Sequence, residues 1–364
     1  MDASPLLEIQ DLSVSFELDE GTVRAVDGVN LSVGRNQIVG VIGESGCGKS
    51  VTAQAIMRIV PSPGRIDSGR ILFRDTDNGS APLDLAALDG DGRAIRQVRG
   101  GQICMIFQEP MTSFSPVHTI GNQIVEAIRL HRPVTKHEAS DIAARMLDRA
   151  GIPQAAERLK AYPFQLSGGM RQRAMIAMAL CTRPRLVIAD EPTTALDVTI
   201  QAQILDLMKD LGGEFEMAIL LITHDLGVVA ETCQFVNVMY MGKIVESGPV
   251  DRIFAKPMHP YTQALLRSIP RLTGPVSQRL AVIEGSVPGP FARLPGCSFH
   301  PRCDQAIKGE CEAGDPPRLL EHAPGHRTAC HLYGRHEGEG ATEGQRMRRK
   351  HAGTKARNRL DGHT

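Results

Sequence analysis

Residues 37–60 read QIVGVIGESGCGKSVTAQAIMRIV, and this stretch decides the fold class. Its first six residues form a short apolar run that stops at a glycine, which is typical of a buried strand before a turn. From Lys49 the pattern is helical through Val60, and the prolines that follow end the helix. The order of strand, glycine-rich loop and helix predicts a parallel α/β core.

The loop inside this stretch fits the pattern of a phosphate-binding site. Glycine lets backbone N–H groups turn inward around the β-phosphate, Lys49 can reach the β- and γ-phosphates, and Ser50 can bind Mg²⁺. A glycine turn without a ligand is the alternative, but the Lys-Ser pair after an apolar strand favours a nucleotide. The predicted nucleotide-binding residues are Gly43, Glu44, Ser45, Gly46, Cys47, Gly48, Lys49, Ser50 and Val51.

A second phosphate-binding element follows far downstream, at residues 166–172, which read LSGGMRQ. Ser167 stands at a predicted helix N-terminus, where unpaired N–H groups and the helix dipole favour an anion. Ser167 is equally suited to be only an N-cap. A second Ser-Gly-Gly element indicates that the nucleotide is clamped between two subunits.

Two further apolar runs are too short for typical helices and predict central parallel strands covered on both faces. The first, 186–189, leads to Asp190, which can hold Mg²⁺, and to Glu191, which can activate the attacking water. A solvated acidic turn is the alternative. The second run, 218–223, leads to His224, which can sense the γ-phosphate or have a structural role.

Two other side chains are candidates because of their positions along the chain. Gln108 closes a predicted strand, and its amide can bind Mg²⁺ or the water. Phe16 ends a strand of a predicted antiparallel patch, where it either stacks on adenine or is a core aromatic residue.

Composition excludes several classes of protein. The 364 residues are 42% hydrophobic, enough for one large domain and a smaller appendage. Lys plus Arg equals Asp plus Glu at 41 each, so no overall field attracts nucleic acid. Residues 1–10 lack a basic start followed by an apolar run, and no window approaches the roughly 20 apolar residues of a membrane span. We therefore expect a cytosolic chain that other subunits hold at a membrane.

Taken together, the motifs resemble the ATPase subunits of ABC transporters. The resemblance spans roughly residues 6–333 and includes Ala195-Leu196-Asp197. Residues 107–113 (FQEPMTS), 259–262 (HPYT) and the cysteine-bearing end narrow it to the oligopeptide and dipeptide importers. It implies an ABC-type P-loop ATPase domain at 1–268, with a RecA-like parallel core, an antiparallel β patch and a helical subdomain at about 109–184. A C-terminal extension at 269–336 and a disordered basic tail at 337–364 follow.

The resemblance also implies a function, partners and site residues. The function is ATP hydrolysis that energises peptide uptake at the cytoplasmic face of a bacterial inner membrane. The partners are a second ATPase subunit, identical or different, two permeases reached by the residues after Gln108, and an extracytoplasmic solute-binding protein. The implied residues of the facing site are Ser167, Gly168, Gly169, Gln172 and Asp197. Import of nickel or another small solute is the alternative, and a soluble ABC protein acting on DNA or ribosomes is a more distant one.

Four of the eight cysteines crowd one segment: Cys297, Cys303, Cys311 and Cys330. In a reducing cytosol this crowding favours a metal over disulfides. Four thiolates suit an iron–sulfur cluster or a structural zinc, but the gaps differ from those of ordinary zinc ribbons. The resemblance favours a [4Fe–4S] cluster over zinc, with uncoordinated thiols as a third alternative.

Overall fold

The computed structural model describes residues 4–74, 81–108, 114–193, 197–268 and 283–333. Within these ranges the strands are β1 (Leu7–Leu18), β2 (Gly21–Val33), β3 (Ile38–Ile42), β4 (Gly64–Phe73), β5 (Leu83–Asp84), β6 (Ile103–Ile106), β7 (Leu186–Asp190), β8 (Ala218–Ile222), β9 (Phe235–Tyr240), β10 (Lys243–Pro249), β11 (Leu320–Ala323) and β12 (His326–Thr328). The helices are α1 (Lys49–Ile56), α2 (Arg93–Val98), α3 (Ile120–His131), α4 (Lys136–Arg149), α5 (Ala155–Arg158), α6 (Gly168–Leu180), α7 (Val198–Glu214), α8 (Leu226–Thr232), α9 (Val250–Ala255) and α10 (Pro260–Arg267).

The main sheet has eight strands in the order β11-β12-β10-β9-β3-β8-β7-β6. The five strands from β9 to β6 are parallel, and β3, β7 and β8 are buried along their whole length. This is the predicted parallel core. Because all five strands run in one direction, the residues that follow them meet at a single edge of the sheet.

Two hydrophobic cores cover the two faces of this sheet. Val39, Val41 and Ile188 pack against a second, antiparallel sheet with the order β2-β1-β4-β5. Their neighbours Ile38 and Val187 point the other way, into a core shared with helices α3, α4, α6 and α7. Alternate side chains of each strand therefore belong to different cores. One core lies against the predicted antiparallel patch, and the other lies against the predicted helical region.

Local signals fix the start of the helices on that second face. The side chain of Thr119 accepts a hydrogen bond from the N–H of Asn122 and caps α3. Thr135 and Glu138 form a reciprocal capping box at the start of α4. Each cap satisfies N–H groups that would otherwise lack an intrahelical partner.

Three segments differ from the expectations based on sequence. Helix α1 ends at Ile56 rather than Val60, because Arg58 adopts a left-handed φ of 55° that no helix continues. Residues 76–93 are rich in Asp, Gly and Ala, a composition that predicts an exposed loop, but in the described part, 81–93, β5 pairs with β4 and Leu85 is fully buried. Strand β1 continues past Phe16 to Leu18, where it forms a hairpin with β2.

The C-terminal segment also contributes regular structure to the main sheet. Strand β12 pairs with β10, and β11 pairs with β12. The buried carboxylate of Glu246 on β10 lies 2.7 Å from Nε2 of His326 and accepts hydrogen bonds from the N–H groups of Met258 and His259. These contacts bind the segment at 320–328 to the main sheet.

Within the parts of the chain that the structure describes, no helix is both long enough and apolar enough to cross a bilayer.

Candidate functional site

Four of the predicted site segments converge at one edge of the main sheet. They follow the carboxyl ends of β3, β6, β7 and β8, which are neighbours in the parallel part of the sheet. The phosphate loop follows β3, Gln108 lies beyond β6, Asp190 and Glu191 lie at the end of β7, and His224 lies beyond β8. The fold therefore brings together residues that are up to 181 positions apart, from Gly43 to His224.

The phosphate loop is a tight turn whose lysine is already turned inward. Nζ of Lys49 donates to the carbonyl oxygens of Gly43 at 2.8 Å and Glu44 at 3.1 Å, and the side chain is only 5% exposed. Gly48 has a φ of 104°, and a Cβ there would clash with the carbonyl oxygen of Ala25. Helix α1 begins directly after Gly48 without a side-chain cap, so its first N–H groups are available to a phosphate.

Ser45 and Gly46 form the exposed tip of this loop, whereas Cys47 is buried beneath it. Burial raises the pKa of the Cys47 thiol, which disfavours the reactive thiolate form. Val51 lies in the first turn of α1 and is half-buried.

Ser50 and Asp190 meet beside the loop, as expected for residues that hold Mg²⁺. Ser50 hydrogen-bonds the Asp190 carboxyl group, which is 4% exposed. Burial raises the pKa of Asp190, and the hydrogen bond from Ser50 opposes that rise. Oδ1 of Asp190 is buried without a hydrogen-bond partner among the described residues, so a divalent cation would satisfy an atom that otherwise has no partner.

Glu191 is the centre of a second group of side chains. Its Oε2 accepts a hydrogen bond from Nε2 of Gln108 at 3.2 Å and lies 3.3 Å from Nδ1 of His224. Glu191 has a φ of 48°, a costly conformation for a residue with a side chain. The Glu191 side chain is 15% exposed and that of His224 is 64% exposed, so the group faces the edge where a nucleotide would enter.

The Ser-Gly-Gly element lies on the surface at the start of α6. Oγ of Ser167 caps the helix by accepting from the N–H of Met170 at 3.3 Å, so the predicted N-cap is present. Ser167 and Gly168 are exposed, and a Cβ added at Gly168 would meet no atom of the described residues within 4 Å. Gly169 lies near Ile200, which is in the first turn of α7. The N-cap of α7 is Asp197, which is exposed. These residues form one exposed surface, which we call the signature surface (Ser167, Gly168, Gly169 and Asp197).

Comparison with known proteins identifies the family. Residues 26–194 match the model of the ABC transporter family, and residues 245–311 match the oligopeptide/dipeptide transporter C-terminal region. A putative peptide import ATP-binding protein of Brucella melitensis is 51% identical over 87% of this chain and 94% of its own length. The dipeptide transport ATP-binding protein DppD of Escherichia coli is 47% identical over 90% of this chain and 96% of its own.

The chain belongs to the ATP-binding subunits of ABC transporters. The solved dimer of the ATP-binding cassette MJ0796, in a post-hydrolysis state with ADP and Pi, has the same fold, with a TM-score of 0.59 and 24% identity. The match covers 67% of this chain and 98% of the cassette. The expected ABC ATPase fold is thereby confirmed, and the chain is an ABC-type ATPase.

Gln172 and Phe16, which were expected to contact the nucleotide, both have contacts within the chain. Gln172 is 2% exposed and donates a hydrogen bond to the carbonyl oxygen of Pro192, so it braces the turn after Glu191 rather than the signature surface. Phe16 is half-buried and packs against the core between the two sheets. That placement is the core-aromatic alternative for Phe16.

Several expectations fall outside the described residues. They concern residues 109–113, which were expected to reach a permease, Ala195 and Leu196 before Asp197, and the basic tail at 337–364.

The four clustered cysteines line one small cavity of the extension. Cys297, Cys303, Cys311 and Cys330 share it with His259 and His331, whose Nε2 atoms are buried without partners among the described residues. Burial raises the pKa of Cys303 to about 11 and that of Cys330 to about 12, and repulsion from the neighbouring thiolates adds to both shifts. No three His, Cys, Asp or Glu side chains of the described ranges converge closely enough to hold a metal ion.

Two residues contact the phosphate loop although no sequence pattern predicts their contacts with it. Oη of Tyr261, in α10, accepts a hydrogen bond from the N–H of Glu44 at 2.9 Å. Arg302, in the extension, forms an ion pair with the Glu44 carboxylate. Tyr261 lies within the 259–262 stretch that the family resemblance includes, but neither a motif nor a spacing indicates its contact with the loop.

Proposed function

We propose that this chain is the ATP-hydrolysing subunit of a bacterial peptide importer. The observation that carries the proposal is the grouping of Gln108 and His224 around Oε2 of Glu191, beside the phosphate loop. The relatives named for peptide import and dipeptide transport support the cargo class. The match to the oligopeptide/dipeptide transporter C-terminal region supports it further.

The residues divide the chemistry between them. Lys49 and the N–H groups of the loop bind the phosphates, while Ser50 and Asp190 would hold Mg²⁺, which supplies charge neutralisation at the β- and γ-oxygens. Glu191 orients the attacking water and takes up its proton, and Gln108 holds that carboxylate in place. His224 hydrogen-bonds the γ-phosphate and so distinguishes ATP from ADP.

The signature surface supplies the remaining contacts to a nucleotide on a neighbouring subunit. It is exposed and lies at a helix N-terminus, where N–H groups and the dipole favour the γ-phosphate. Two subunits, identical or different, then enclose ATP head to tail. Shifting such a pair from mostly open to mostly closed requires about 5.5 kcal/mol of differential binding, which contacts from both subunits can supply.

The importer consists of this pair, two permeases and an extracytoplasmic solute-binding protein. The chain works at the cytoplasmic face of the inner membrane, held there by the permeases. The direct test is to purify the complete membrane complex and measure its ATPase rate with peptides, nickel or other small solutes. Stimulation by peptides alone is the expected result, and stimulation only by a metal or another solute would contradict the proposed cargo.

The extension is proposed to bind a [4Fe–4S] cluster through Cys297, Cys303, Cys311 and Cys330. Four thiols and two partnerless histidine nitrogens around one cavity provide a suitable donor set. The thiols must rotate inward to bind it, because they do not converge at present. When bound, the cluster would tie together segments far apart in the extension.

The test is metal analysis of protein purified without oxygen. The expected sample is brown and contains about four iron atoms per chain. A colourless sample with one zinc, or one without any metal, would contradict the cluster. The variant Cys104→Ser is the control, since Cys104 lies on β6, away from the cavity, and should leave the iron content unchanged.

A further inference from the structure

The extension touches the phosphate loop through a partly buried ion pair. Nη1 and Nη2 of Arg302 bind the two carboxylate oxygens of Glu44 at 2.7 and 3.0 Å. This two-point geometry is the strongest that arginine and a carboxylate form. The side chain of Arg302 is 4% exposed and that of Glu44 is 26% exposed, so solvent screens the pair only in part.

Glu44 is held at every polar group by residues of different elements. Its N–H donates to Oη of Tyr261 at 2.9 Å, and its carbonyl oxygen accepts from Nζ of Lys49 at 3.1 Å. The same carbonyl accepts from the N–H of Cys47 at 3.3 Å. The position of Glu44 therefore sets the resting place of Lys49, the cation that must meet the phosphates.

Arg302 is itself firmly placed. Its Nε donates to the carbonyl oxygen of Glu284 at 3.3 Å, and its guanidinium lies 5.9 Å from the ring centre of Tyr240 and 6.0 Å from that of Phe299. The rings of Tyr240, Tyr261 and Phe299 pack together, with centroids 4.7 to 5.4 Å apart. This cluster joins β9, α10 and the extension. Because the guanidinium of Arg302 packs against it, the side chain is fixed in position and does not move freely as a surface cation would.

We propose that Arg302 is a positioning residue through which the docked extension holds the phosphate loop in its nucleotide-binding shape. With Tyr261, it holds Glu44, the residue next to the exposed tip of the loop. Displacement of the extension would then release Glu44 and weaken nucleotide binding, although no residue of the extension needs to touch the nucleotide. The inference deepens the proposed function and rests on it.

The test is a fluorescent ATP-analogue titration of Arg302→Gln, Glu44→Gln and the double variant in the full chain. We expect each single variant to bind about tenfold more weakly, as the loss of a charge-assisted hydrogen-bond pair predicts. The double variant should bind no more weakly than either single variant, because both remove the same contact. Arg302→Lys, which keeps the charge but loses the two-point geometry, should recover part of the affinity.

The matched control is Arg327→Gln, which removes an exposed arginine of the extension whose ion pair within the described ranges is with exposed Glu321. Its affinity should equal that of the wild-type protein. Wild-type affinity in folded Arg302→Gln, or effects of the two single variants that add fully, would overturn the inference. If Arg302→Gln does not fold, Glu44→Gln and Tyr261→Phe give the decisive comparison, and unchanged binding in both would overturn it.

Failure of the inference can be distinguished from failure of the proposed function. Lys49→Ala should weaken analogue binding about a hundredfold in either case. If the wild-type chain itself binds no analogue, the proposed ATPase fails. If Lys49→Ala weakens binding while Arg302→Gln has no effect, only the positioning role of Arg302 fails.

Discussion

The two phosphate-binding regions of this molecule differ in burial. Lys49 and Asp190, beside the phosphate loop, are 5% and 4% exposed and are held by hydrogen bonds within the chain. Ser167 and Gly168, on the signature surface, are exposed, and within the described part of the chain no atom lies within 4 Å of the Gly168 Cβ position. The phosphate loop is preorganised to bind a nucleotide within a single chain, whereas the signature surface is exposed to solvent.

The difference in burial indicates which steps need one subunit and which need two. A buried, preorganised site can bind nucleotide in a single chain, whereas an exposed helix N-terminus gains its ligand only when another surface covers it. Loss of a phosphate contact at the buried site should therefore weaken nucleotide binding by the single chain. Changes at the signature surface should spare that binding and prevent only the closed pair.

The largest effect is expected for Glu191→Gln, which keeps the shape of the side chain but removes the carboxylate that takes up the proton. ATP turnover should fall by about 10² to 10⁴-fold, while ATP binding persists and the closed pair accumulates. Turnover and light scattering of the same samples measure both effects. Normal turnover would refute the role of Glu191.

A smaller effect, about a hundredfold in affinity, is expected for Lys49→Ala, because a charge-assisted contact to the phosphates is lost in the buried region. A fluorescent ATP analogue titrated into dilute, monomeric protein provides the measurement. Lys243→Ala is the control, since that lysine pairs with Asp27 near the surface. Equal affinities for the Lys49 variant and the wild-type protein would show that the buried region is not the primary site.

The smallest effect, at least about tenfold in ATP-dependent dimerisation, is expected for Gly168→Asp. The new carboxylate fits the free space in the single chain but repels the γ-phosphate of the facing subunit. Sedimentation velocity with ATP measures the fraction of dimer, and the analogue titration should show unchanged affinity in the monomer. Gly213→Asp is the control, because Gly213 is also exposed, with no atom near its Cβ position.

Local patterns in the sequence predicted the parts of the site that depend on neighbouring residues. The apolar runs of β3, β7 and β8, the loop after β3 and the N-cap Ser167 all appear where expected, because strand burial and helix capping are encoded within a few residues. The common edge of Asp190, Glu191 and His224 followed from the parallel arrangement of their strands.

Contacts between distant segments were not predictable in this way. Arg302 and Glu44 are 258 residues apart, and no periodicity or spacing links them. The pairing of β12 with β10 likewise depends on the buried Glu246–His326 contact. The motif at 166–172 likewise carries no information on the hydrogen bond from Gln172 to the carbonyl oxygen of Pro192.

If ATP is hydrolysed between two subunits, turnover must depend on how many chains are paired. ATP turnover per chain is followed through a dilution series of the wild-type protein with its partner subunits, while sedimentation velocity gives the fraction of paired ATPase subunits. Turnover per chain should fall in proportion to that fraction. Full turnover per chain in samples that contain only single ATPase subunits would contradict it.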